Sequence, residues 1–234
     1  MRKINFVAIL LFSGLTVFGQ AVRDRNVIPV AVNLNQVLRM TITNGGNIEF
    51  VFNTINQYKT GLSSQAASAA ANSAASQPMY KTDFTISSST RWALTYGAEE
   101  ATFIGTDFAA VSATNPFKLD NVGFTITNKG ANIFEGSANA KATTPAASLF
   151  SAPTLNATEV TALMAYPTVL IEDNNTINAN AGDAADNSFT LNWRCGTAEA
   201  GSVHPMNDTK LIDQKPSPVA DRYAVNVLFD LAAL

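Results

Sequence analysis

The stretch IPVAVNLNQVLRMTITNGG, residues 28–46, decides the reading of this chain. Its even positions run Ile28, Val30, Val32, Leu34, Gln36, Leu38, Met40 and Ile42. Its odd positions are mostly small or polar: Pro29, Ala31, Asn33, Asn35, Arg39, Thr41 and Thr43, with Val37 the exception. Side chains two apart share one face of a strand, whereas a helical face repeats every 3.6 residues. The stretch therefore predicts a strand. Asn44-Gly45-Gly46 tolerates positive φ, and Ile48, Phe50 and Phe52 follow in phase. That combination predicts a β-hairpin.

The same grammar recurs along the chain. Phe84 and Ile86 alternate with Thr85 and Ser87, and Trp92, Leu94 and Tyr96 alternate with Ala93 and Thr95. Val122, Phe124 and Ile126 lead into Asn128-Lys129-Gly130, with Ile133 beyond, which again has the chemistry of a hairpin. Phe189, Leu191 and Trp193 alternate with Thr190, Asn192 and Arg194, and Tyr223, Val225, Val227 and Phe229 close the series. Many such strands separated by Gly, Asn and Pro predict an all-β antiparallel sandwich, immunoglobulin-like or enlarged. One enlarged sandwich and two small ones both fit the length. The lack of a Pro- or Gly-rich linker favours a single domain over residues 20–234.

Two stretches break the pattern. Residues 62–77 hold seven Ala and five Ser in sixteen positions, and read as an insertion, either a loop or a helix resting on a sheet edge. In Thr158-Glu159-Val160-Thr161-Ala162-Leu163-Met164, the residues Val160, Leu163 and Met164 fall at helical spacing. This segment is the better helix expectation.

Residues 1–19 have the pattern of a secretory signal. Arg2 and Lys3 precede the apolar run Phe6–Phe12, and Val17 and Gly19 suit cleavage before Gln20. The run is shorter than the roughly 20 apolar residues that span a bilayer, so no membrane span is expected after cleavage. The expected location is the cell surface or extracellular space, with the periplasm as the alternative. Removing the leader leaves 13 basic against 18 acidic residues, a net charge of −5. Such a balance offers no basic footprint for nucleic acid.

The whole chain has one Cys and one His, which excludes an internal disulfide, a Cys-rich zinc site and a His-rich metal site. There is no G-x-S-x-G elbow, P-loop or G-x-G-x-x-G. His204 precedes Pro205 in a loop-like stretch, and Cys195 shares the parity of Phe189, Leu191 and Trp193, so it is expected in the core. Arg194 should then face the opposite side. Glu99 and Glu100 are neighbours that would diverge, not an opposed acid pair. Asp173, Asp183 and Asp186 sit in an oxygen-rich region and are weak calcium ligands at best, because the D-x-[DN]-x-[DN]-G spacing is missing. No cofactor is otherwise expected. Asn156, Asn174 and Asn207 lie in N-x-[ST] sequons. Tyr58, Tyr80, Trp92 and Tyr96 offer faces for sugar stacking, yet their alternation favours sheet packing.

Three segments together, residues 84–94, 189–196 and 222–229, resemble exported immunoglobulin-like β-sandwich surface proteins of Gram-negative bacteria, including pilin-like subunits. The paired cysteines of many pilins are missing here. The resemblance implies a structural or adhesive role and no catalytic residues.

After the polar residues 20–25, Ile28, Val30, Val32 and Leu34 form an apolar comb suited to completing a sheet. Burying four such side chains contributes roughly 6–12 kcal/mol, and ordering the seven backbone residues costs about 7–14 kcal/mol. The balance is close to zero, so the comb settles only where a sheet edge adds hydrogen bonds. That edge lies either in its own domain or in a neighbour. The expected function is a non-catalytic exported structural subunit associating through β-strand edges. Its partners would be copies of itself or another envelope protein. A ligand- or carbohydrate-binding module is the alternative, and a hydrolase with an unfamiliar site comes third.

Overall fold

The computed structural model describes residues 28–64, 79–106, 117–134, 148–151, 160–173, 180–199 and 204–234. The signal sequence, the sequons at Asn156 and Asn174, and the insertion beyond Ser64 lie outside the described residues. The chain divides into two units, Met1–Asn35 and Gln36–Leu234.

Gln36–Leu234 is mostly β. In chain order its strands are β1 (Leu38–Asn44), β2 (Leu62–Ser63), β3 (Lys81–Ser88), β4 (Trp92–Ala98), β5 (Ile104–Gly105), β6 (Val122–Asn128) and β7 (Ile133–Phe134). They continue as β8 (Ser148–Ser151), β9 (Thr161–Ala162), β10 (Thr168–Asp173), β11 (Ser188–Cys195), β12 (Tyr223–Ala224) and β13 (Val227–Ala233). One short helix, α1 (Ile55–Thr60), and two 3-10 turns, Leu119–Asn121 and Leu211–Asp213, complete the described elements. The first sheet runs β1-β3-β11-β6-β9, with β2 also on β11; the second runs β13-β4-β10-β8-β7; β12 and β5 form a small ribbon. All pairings are antiparallel except β7 with β8.

The alternation seen in the sequence builds the space between the sheets. From the first sheet come Phe84, Ile86, Phe124, Ile126, Phe189, Leu191, Trp193 and Cys195; from the second come Trp92, Leu94, Tyr96, Leu170 and Ile171. Leu170 and Ile171 are neighbours yet both fully buried, because a register shift between Val169 and Ile171 in the β10–β4 ladder resets the phase. Phe84 stacks on Phe189 at 5.2 Å, while Trp92 meets Phe189 and Trp193 meets Phe124 edge-on. Buried indoles need partners for their N–H groups. Trp193 Nε1 donates to Thr82 Oγ1 at 2.9 Å, and Trp92 Nε1 donates to the Asn180 carbonyl at 2.9 Å. Asn180 also accepts from the Trp92 backbone N–H and donates to its carbonyl, clasping the start of β4.

Neither expected hairpin forms. β1 pairs with β3, and residues 48–52 form no strand; Ile48, Phe50 and Phe52 instead lay alternate side chains against the core. Beyond Asn128-Lys129-Gly130 the chain enters β7 in the other sheet. The turn chemistry is present in each case, but it ends a strand without returning it. Gly45 has φ +68°, and a Cβ there would meet the Lys81 carbonyl oxygen at 1.7 Å, so this turn is pressed onto the start of β3. The helix expected around Val160–Met164 is also corrected, since Thr161–Ala162 is β9, paired with Gly123 and Phe124 of β6. Residues 160–163 are all buried: Val160 and Ala162 pack with Met206 in a small second cluster and Leu163 joins the main core, so this short strand buries both of its faces. Conversely, α1 was unforeseen. Its signal is the capping box Thr54-Ile55-Asn56-Gln57, in which Thr54 accepts from the Gln57 N–H and Gln57 accepts from the Thr54 N–H.

Candidate functional site

Within Met1–Asn35, residues 28–35 are assigned no helix, turn or paired strand. The comb is in water there: Ile28 is 83% exposed, Val30 84%, Val32 77% and Leu34 89%. Four large apolar side chains in strict alternation are therefore uncovered.

The sandwich has backbone edges of its own, and their phase follows from single hydrogen bonds. In an antiparallel pair, directly opposed residues alternate between those that exchange hydrogen bonds and those that turn their N–H and C=O outward. Glu99 N–H donates to the Asn226 carbonyl at 2.9 Å, and Leu234 N–H to the Arg91 carbonyl at 2.9 Å. With Val227 opposite Ala98, the even-numbered residues of β13 are the ones bonded to β4. Val227, Phe229, Leu231 and Ala233 turn their backbone groups outward. On β1, Ser89 N–H donates to the Val37 carbonyl at 2.9 Å, so Leu38, Met40 and Ile42 are the outward ones. Neither strand has a second partner among the described residues. On both edges these residues include the ones whose side chains lean on the core: Leu38, Met40, Val227, Phe229 and Leu231.

The ends of the two sheets differ. β9 and β7 are two residues long. β1 carries a register shift between Ile42 and Asn44. β13 keeps continuous register over seven residues, from Val227 opposite Ala98 to Ala233 opposite Trp92. Short strands and bulges blunt an edge. Its solvent face carries Leu228, Asp230 and Ala232, and Asp230 accepts from the Tyr166 hydroxyl at 3.1 Å.

The remaining candidates have structural surroundings. Asp173 is buried and accepts from Arg91 Nε at 2.5 Å. Asp183 and Asp186 hold a tight turn: Asp183 accepts from the N–H groups of Ala185 and Asp186, and Asp186 accepts from that of Asp183. Among the described residues no three His, Cys, Asp or Glu side chains gather as a metal site would need. The His204 carbonyl accepts from the Ala162 N–H beside β9. Glu99 accepts from Asn226 Nδ2. Cys195 is buried, and that burial pushes its thiol well above the usual range. Tyr80, Trp92 and Tyr96 are core residues and Tyr58 is half-buried against Phe52. Asn207 uses its side-chain oxygen to accept from the Thr209 N–H. Among the described residues no helix is long and apolar enough to cross a membrane.

Two polar clusters on the outer face of the first sheet carried no periodic signal. Arg194 does face away from the core, as its parity requires, but it is buried there, with Nη1 2.7 and 2.6 Å from the two Glu199 carboxylate oxygens. Asp83 accepts from Thr190 Oγ1, from Lys129 Nζ at 3.0 Å and from Asn44 Nδ2 at 3.3 Å. Those donors, Thr190 foremost, hold its carboxyl below the ordinary value.

Compared with protein-family models and with curated protein sequences, the chain matches neither.

Proposed function

We propose that this protein is an exported, non-catalytic structural subunit of the cell surface or of an extracellular filament, and that it associates through β-strand edges. The observation that carries this reading is the comb Ile28, Val30, Val32 and Leu34, 77–89% exposed. Each such side chain gains about 1.5–3 kcal/mol on burial, and an uncovered alternating row of this kind matches strand addition to a sheet. The backbone edges of β1 and β13, which have no further strand partner among the described residues, supply complementary groups. The resemblance to immunoglobulin-like surface proteins supports the same role, and the leader-like first nineteen residues support export.

The test compares the chain 20–234 with a chain lacking residues 20–34, by sedimentation and negative-stain microscopy over a concentration series. The longer chain is expected to assemble as concentration rises. The shorter one is expected to remain monomeric with a cooperative thermal transition. A longer chain that stays monomeric throughout, or a shorter one that still assembles, overturns the reading.

A further inference from the structure

We infer that two copies of this chain pair through the edge of β1, as antiparallel neighbours about a two-fold axis at Met40, so that their first sheets join into one. The inference rests on the reading of an edge-associating subunit, and it names a contact that residues 28–34 do not make. β1 has no second strand partner among the described residues.

The straight part of β1 is complementary to itself. Leu38, Met40 and Ile42 are the residues whose N–H and C=O turn away from β3. With Met40 opposite the Met40 of the other copy, Leu38 lies opposite Ile42 and Ile42 opposite Leu38. Each residue that offers backbone groups then faces another that does, and each such pair exchanges two hydrogen bonds. The register shift of β1 lies between Ile42 and Asn44, outside the paired stretch, so nothing interrupts the ladder.

The side-chain faces agree. Directly opposed residues of antiparallel neighbours share a face. Leu38 and Met40 lean on the core, and Ile42 on the same face is 47% exposed. Pairing brings Ile42 beside the Leu38 of the other copy, so the apolar row continues from one sandwich into the next. On the outer face Arg39 lies opposite Thr41, and the two arginines stand diagonally, about 7–8 Å apart.

Charge and length select this register and this edge. The in-phase register one step away pairs Leu38 with Met40 and sets Arg39 opposite Arg39, and directly opposed like charges destabilise a sheet. The step in the other direction pairs Met40 with Ile42 and runs Leu38 into the register shift. Full self-overlap of β13 sets Asp230 opposite Asp230. β7 and β9 are two residues long. A self-complementary contact closes on itself, so it joins copies in twos. A ladder this short holds two soluble copies only transiently, because an isolated strand pair is marginal in water. Copies aligned in an assembly meet repeatedly, and their effective concentration sustains the contact.

The experiment traps the register with cysteines. Residues 39 and 41 of opposite copies form a pair that exchanges no hydrogen bonds, where Cα atoms sit about 4.5 Å apart, within disulfide range. Equal amounts of chain 20–234 carrying Arg39→Cys and of chain 20–234 carrying Thr41→Cys are mixed under mild oxidation and separated without reductant; native Cys195 is buried. Random encounter yields twice as much mixed dimer as either homodimer. The two-fold pairing is expected to raise that excess to about tenfold, because only the mixed pair sets the thiols face to face. The same substitutions in chains lacking residues 20–34, where β1 is intact, are expected to give the same ratio more slowly. A random ratio, a predominance of the Arg39→Cys homodimer, or no dimer overturns the inference, and assembly of those same chains leaves the subunit reading standing. A ratio that persists only when residues 20–34 are present assigns the contact to them and overturns the inference too. The expected ratio in chains that form no larger assembly upholds the contact and overturns the reading of a concentration-dependent assembly.

Discussion

Asp83 and Arg194 show how charge is handled on the outer face of the first sheet. The Asp83 carboxylate is held by Thr190, Lys129 and Asn44, which favour its charged form. A carboxyl whose pKa is lowered on folding stabilises the native state above its unfolded value, near 3.8. That contribution is lost as pH falls through the folded value. Stability measured by urea denaturation should therefore drop below about pH 4, the unfolded carboxyl value, and Asp83→Asn should flatten part of that drop. Arg194 and Glu199 are 4% and 6% exposed, and Arg194 Nε has no hydrogen-bond partner among the described residues. Removing one member of a buried pair costs about 3–5 kcal/mol, because the other charge stays buried alone. Arg194→Met should lose that amount in urea unfolding, and Arg194→Met with Glu199→Gln should recover much of it. The parity of Arg194 was legible in its alternation with Trp193 and Cys195. Its burial was not, since it depends on Glu199 arriving from beyond Gly196, whose φ is +66°. Asn180 was equally silent: its clasp joins residues 88 apart in the chain, and no local pattern encodes such a distance.

Elements were legible where both faces of a strand obeyed one rule. β3, β4, β6 and β11 follow their apolar parity closely, because each lies between two neighbouring strands and gives one face to the core. Connections were harder. The turns at Asn44-Gly45-Gly46 after β1 and Asn128-Lys129-Gly130 after β6 report that the backbone bends, and a bend serves equally a hairpin, a longer return to the same sheet as after β1, and a passage to the other sheet as after β6. What decided between them is the surface each turn rests on. Gly45 sits against the Lys81 carbonyl, and Thr82 Oγ1 donates to the Gly45 carbonyl at 2.7 Å. Gly45→Ala must satisfy a left-handed backbone, which costs about 1–2 kcal/mol for a residue with a Cβ, and also displace β3. The variant should unfold at a urea midpoint lower than that penalty alone produces. The segment around Val160 mimics helical spacing because residues 160–163 are buried on both faces of a short strand, where apolar positions no longer alternate. Only the pairing of β9 with β6 separates the two.

At the scale of the molecule, the all-β sandwich was legible from alternation alone, while the assignment of strands to sheets was not. Neighbours in the sheets are distant in sequence, as with β11 between β3 and β6 or β13 beside β4. Period-2 patterning says which face a residue serves and nothing about which strand lies next to it. The strand expected from Ile28 begins only at Leu38, and residues 28–37 are assigned no strand, because parity alone does not supply the sheet edge that would hold them; the contrast between the exposure of Ile28, Val30, Val32 and Leu34 and the burial of β3 or β4 is visible only in the structure. The outward phase of β1 and β13 is likewise set by their hydrogen bonds to β3 and β4, which no residue identity carries.

The single cysteine, enclosed in the core at the end of β11, has a consequence for how the chain folds. No covalent staple has to form before the native state is reached. The rate of maturation is set by bringing far-separated strands together, which is slow in proteins dominated by long-range pairing. Reducing and oxidising surroundings are therefore expected to yield the same folded chain, with the same urea midpoint in either.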